Sequence, residues 1–192
     1  MAAIIHRTTL EYKGSVNSPD FGPEWIVNPD LTALVNVPKK YWKIIGDDVL
    51  EMDQAEKDAV DAAELVILKA KLLEDVDSHA ESLITDGPGI EYPPASGKYL
   101  SLSINAQIKW TGWNLIADDW VSLGLPYPFT VRTKDELDTV TITDAAEVRT
   151  VYGLMAQTVA VILGGVEVAK AGIQSATTAE DAQTAADAFL AT

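Results

Sequence analysis

Apolar residues recur along this 192-residue chain with two different periods, and the period separates helices from strands. Ala59, Ala62, Val66, Lys69, Leu73, Val76, Ala80 and Leu83 lie alternately three and four residues apart. That is a heptad seam with one flaw, the lysine. Asp53 followed by Glu56 is a capping-box pattern, and neither proline nor glycine occurs again before Gly87, so a helix is predicted over 54–85. A second seam is apolar throughout: Val148, Tyr152, Met155, Val159, Ile162, Val166 and Ala169, behind an Asp144/Glu147 cap. Val151, Val161 and Leu163 widen it into a surface that one exposed helix could not leave in water. Thr177 with Glu180 predicts a short alanine-rich helix over 178–190.

Elsewhere the pattern is short and alternating. "AIIHRTTLEY" (3–12) reads as a strand, "SVNSPDFGPEW" (15–25) as a proline and glycine loop, and "WIVNPDLTALVNVPKK" (25–40) as irregular. Residues 41–45 and 48–52 form two apolar runs around Gly46-Asp47, which suits a type II′ hairpin because glycine accepts the positive φ of its first turn position. Three prolines and three glycines within 86–100 predict a loop or linker. From Tyr99 to Val140 the chain is rich in β-branched and aromatic residues; alternation puts Leu100, Leu102 and Ile104 on one strand face, and a packed sheet is expected around Trp110, Trp113 and Trp120. The expected fold is α+β: a strand and loop region over 1–52, a long helix over 53–85, a small β-rich domain over 86–143, and a C-terminal helical region over 144–192.

Charge narrows the partners. Fourteen lysines and arginines against 29 aspartates and glutamates leave a formal charge of -15, which disfavours nucleic acid and anionic lipid. The uncharged run 150–166, between Arg149 and Glu167, approaches the length that spans a bilayer, but Gln157 and Thr158 interrupt its centre and Glu167 and Lys170 close it. No membrane role is expected. The N-terminal stretch has no basic segment followed by a long apolar one, so no secretion signal is read. Cysteine is absent, which removes disulfides, thiolate metal sites and cysteine nucleophiles together.

Candidate chemistry is sparse. His6 and His79 are the only histidines, and no metal spacing, phosphate loop or nucleophile motif accompanies them. Asp47-Asp48 and Asp118-Asp119 read as turn aspartates, since adjacent residues on a strand point to opposite faces and cannot form a catalytic pair by themselves. No enzyme activity, cofactor or metal is expected. Trp110, Trp113 and Trp120 fall within eleven residues and are interspersed with Asn114, Asp118 and Asp119, a composition that also suits a sugar-binding platform.

Two segments carry a family likeness. "YWKIIGDDVLEMDQAEKDAVDAAE" (41–64) resembles segments of bacteriophage tail and tail-fibre accessory proteins. "PFTVRTKDELDTVTITDAAEVRTVYGLMAQTVAVILGGVEVAKAGIQSATTAEDAQTAAD" (128–187) is similar to C-terminal helical regions of phage tail-associated proteins of unknown function. The resemblance implies a virion structural protein of the tail fibre, tail tip or baseplate, and it transfers no site residues. The seams then predict a homo-oligomer, a trimer, with its interface on Val148, Tyr152, Met155, Val159, Ile162, Val166 and Ala169, joined by Val66, Leu73 and Val76. A head fibre or capsid decoration protein, a receptor module binding host surface glycan through the tryptophans, and a tail-fibre assembly chaperone are the alternatives.

Overall fold

The computed structural model describes residues 2–16 and 21–192. Positions 17–20 of the loop expected at 15–25 lie outside the described residues. The chain is α+β, with small antiparallel sheets and, among the described residues, four α-helices. It divides into two compact units, Met1–Ile67 and Leu68–Thr192. The division falls inside the long helix, so none of the boundaries expected from the sequence coincides with it.

In the first unit β1 (Ala2–His6) is the middle strand of a three-stranded sheet, flanked by β2 (Tyr12–Val16) and β3 (Trp25–Val27). The single strand expected over 3–12 is instead a hairpin: residues 7–9 turn, Leu10 takes a φ of 55°, and Ile5 pairs with Tyr12. β4 (Trp42–Ile45) and β5 (Asp48–Glu51) form the hairpin that the sequence predicts, with Gly46 at a φ of 63°. Ile5, Ile26, Leu34, Trp42 and Val49 make one small core, and Trp42 Nε1 donates to the Val37 carbonyl at 2.9 Å.

Helix α1 spans Gln54–Thr85, the predicted limits. Its capping box closes in both directions: the Glu56 amide donates to Asp53 Oδ1 at 2.9 Å, and the Asp53 amide to Glu56 Oε2 at 2.8 Å. Two of the helix's orphan donors are thereby satisfied.

The second unit begins with the remainder of α1. β6 (Ile90–Glu91) and β7 (Tyr99–Leu100) form a minimal hairpin inside the expected linker. Gly89 beside it has a φ of 86°, and a Cβ there would stand 2.1 Å from the Leu100 carbonyl oxygen, so only glycine fits. Helix α2 (Ile104–Ile116) replaces the expected strand, with Ser103 as N-cap. Leu100 and Leu102 are buried as the alternation suggested, but Ile104 opens the helix and is 68% exposed. β8 (Phe129–Arg132) and β9 (Thr139–Ile142) pair antiparallel in register from Phe129↔Ile142 to Arg132↔Thr139.

Helix α3 (Ala145–Ser175) starts at its Asp144 cap, with the Glu147 amide donating to Asp144 Oδ1 at 2.9 Å. Helix α4 (Ala179–Leu190) starts one residue later than expected. Thr177-Thr178 and Glu180-Asp181 contain two overlapping boxes, and the structure uses Thr178, whose Oγ1 accepts from the Asp181 amide at 3.1 Å. Gly165 and Gly172 let α3 and α4 approach closely: a Cβ at the first would meet the Phe189 ring at 2.9 Å, and at the second Ala185 Cβ at 2.8 Å.

Candidate functional site

The three tryptophans of the sequence come together on helix and turn rather than on a sheet. Trp110 and Trp113 belong to α2, and Trp120 lies in the turn that follows it. Trp113 meets Trp110, Trp120 and Phe129 edge-on at centroid distances of 4.9, 5.8 and 5.1 Å, while Trp120 stacks on Phe129 at 5.0 Å. Edge-to-face and stacked geometries are those that aromatic quadrupoles favour. Trp110 is 2% and Trp120 6% exposed: Trp110 belongs to the buried set with Leu102, Val131, Val140, Val148 and Met155, and the ring of Trp120 lies between Trp113, Tyr127 and Phe129. Only Trp113 is half-buried, and Lys109 Nζ stands 4.4 Å from its ring centroid. A platform of three open indole faces is therefore not formed in this chain, because two of the three are core residues.

Most of the candidate polar residues are occupied with structure, and His79 is the exception. His6 Nδ1 accepts from the Thr8 and Thr9 amides at 3.2 Å each, and its ring stands edge-on to Trp25 at 4.9 Å. His79 lies edge-on to Phe189 of α4 at 5.5 Å, and its Nε2 is a buried nitrogen without a hydrogen-bond partner. Asp47 pairs with Arg7, and Asp118 with Arg149. Among the described residues no group of three or more histidines, aspartates and glutamates is placed to hold a metal ion. The perturbed titrations follow local bonds: Lys43 lowers Glu56, and Lys40, followed by Tyr41, lowers Asp61. Tyr92 is pushed up to about 12, first by burial and then by the charge of Glu147.

The seam residues were expected to meet other chains, and the structure places most of them in the chain's own interior. Val148 and Met155 join the buried set around Trp110, and Tyr152 and Val159 pack on its edge. Val166 and Ala169 are buried where α3 runs beside α4, and Val76 is buried on α1, whose Asp77 pairs with Lys170 of α3 at 2.6 Å. Ile162 and Leu73 are half-buried. Val148, Met155, Val166, Ala169 and Val76 are buried by their own chain and are not open to a partner while it keeps this fold, whereas Val66 is 68% exposed. Lys69, the flaw in the first seam, donates to the Gln174 carbonyl at 2.9 Å. It places a cation at the C-terminal end of α3, where the helix dipole favours one.

Exposed apolar surface remains at Val66 of the first seam and at positions outside both seams. Val66 and Ile67 on α1, Ile104, Ile108 and Leu115 on α2, and Val161, Leu163 and Val168 on α3 are all open to solvent. The most apolar 18 residues of α3 have a mean hydropathy of 1.6, long and apolar enough to cross a membrane by length and composition, and 17% of that window is buried within the chain. The sequence carried the signal for this outer surface, because an apolar helix with one buried seam has residues left over on its other side.

Comparison with protein-family models, with curated proteins and with solved structures finds nothing that matches this chain.

Proposed function

We propose that this chain is a bacteriophage virion structural protein, a self-associating component of the tail fibre, tail tip or baseplate. One observation carries the reading beyond the likeness of segments 41–64 and 128–187. Three helices expose large apolar residues on their outer faces, in a chain whose formal charge is -15. A strongly acidic monomer has the charge to stay soluble, and exposed apolar faces are the mark of surface that other protein covers. A protomer of a particle needs both.

Identification of the chain in purified virions tests the proposal. The expected result is its presence in washed, intact particles at many copies per particle, with antibody labelling on the tail. Presence in the infected lysate but absence from particles would overturn it and favour an assembly chaperone.

A further inference from the structure

We infer that an exposed face of α3 is a docking surface for a second copy of this chain, joined antiparallel about a two-fold axis level with residue 158 along the helix. The inference specifies the self-association in the reading above and rests on it.

Beside the buried seam, α3 carries another heptad face: Arg149, Gly153, Ala156, Ala160, Leu163 and Glu167, spaced four, three, four, three, four. All six are exposed. The face has the same spacing when read outward from Thr158 in either direction. Two copies laid antiparallel therefore bring Arg149 opposite Glu167, Gly153 opposite Leu163 and Ala156 opposite Ala160, twice over.

Charge selects this occupant. Each copy carries -15, so two copies repel over most of their surfaces. Between Arg149 and Glu167 the helix carries no charge at all, and at its ends the antiparallel order sets a cation against an anion. A parallel order would set arginine against arginine and glutamate against glutamate. Arg149 already meets Asp118 of its own chain, yet its side chain stays 46% exposed and can serve both carboxylates.

Shape agrees with charge. A Cβ built on Gly153 meets nothing within 4 Å, so the helix surface is open there and can receive the leucine of the other copy. The alanines at the middle allow the two axes to come close. A two-fold contact gives an even number of chains, in place of the trimer expected from the buried seam.

The absence of native cysteine makes the test direct. Gly153→Cys and Leu163→Cys are prepared in separate full-length chains distinguishable by mass, and each is oxidised alone and after mixing. Both positions are exposed, so both variants keep the fold. The two-fold sets like cysteines about 15 Å apart along the helix axis, beyond the reach of a disulfide, and unlike cysteines face to face. The expected result is that neither variant links to itself and the mixture forms the mixed disulfide. Self-linked Gly153→Cys would overturn the orientation. A multimeric mass with no disulfide in any arm would overturn this face as the contact while leaving self-association standing. A monomer in every arm, or partition into lipid vesicles without the mixed disulfide, would overturn the pairing, and the virion assignment would still be decided by particle composition.

Discussion

Single residues in this protein are decided by what surrounds them more than by their type. Tryptophans 110 and 113 sit one turn apart on the same helix, yet Trp110 is sealed in the core and Trp113 is half open beneath Lys109. Replacing Trp110 by alanine is expected to destabilise the fold by about 3 to 5 kcal/mol through lost burial and a cavity. Trp113→Ala is expected to destabilise it less. Urea denaturation of the two variants measures the difference; equal losses would mean that the burial contrast has no energetic weight. Gly89 presents the opposite case, a residue chosen for having no side chain. Gly89→Ala combines a positive φ with a contact to a backbone oxygen, and a loss of about 2 kcal/mol or more is expected by the same measurement.

At the level of elements, the helix starts were legible wherever a side chain closes on the backbone three residues away. Asp53/Glu56 and Asp144/Glu147 give the start of α1 and α3 because the carboxylates bond amides that no other part of the chain reaches. Asp144→Ala is expected to cost about 0.5 to 2 kcal/mol and to speed hydrogen exchange in the first turn of α3. Helix α2 was not legible by the same route. Ser103 caps it without a partner glutamate, and its isoleucines and tryptophans are residues that favour strands. The spacing of Ala106, Trp110, Trp113 and Ala117 was helical all along, and it outweighs composition because it alone puts four apolar groups on one face. The hairpin between β1 and β2 was hidden for a related reason. No glycine marks its turn, and Leu10 takes the positive φ instead.

The start of α1 also responds to pH. Glu56 and Asp61 are both held below the usual carboxylate range by lysines of the adjacent segment, Lys43 and Lys40. Groups whose folded values are depressed stabilise the fold above their unfolded values, near pH 4, and lose that contribution as pH falls through the folded ones. Denaturation midpoints of the full chain are expected to fall between pH 5 and pH 3, and Lys43→Met is expected to flatten part of that fall. An unchanged slope in the variant would show that the Lys43 pairing does not set the response.

For the whole molecule, the decisive distinction lies between the two sides of α3. Its seam from Val148 to Ala169 was readable in the sequence as apolar, but periodicity does not say which chain covers a face. In the structure the same chain covers it, and the outer face remains. The two faces should therefore respond differently to a charge. Met155→Asp places an unpaired carboxylate in the core and is expected to unfold the second unit. Ala160→Glu places one on exposed helix and is expected to leave the fold intact, as followed by circular dichroism, while separating the copies.

Sedimentation equilibrium of the full chain and of Ala160→Glu at micromolar concentration tests this account most directly. The account predicts an even multiple of 20.7 kDa for the unaltered protein and 20.7 kDa for the folded variant. A 20.7 kDa unaltered protein, or a variant that sediments with the same multiple as its parent, would contradict it.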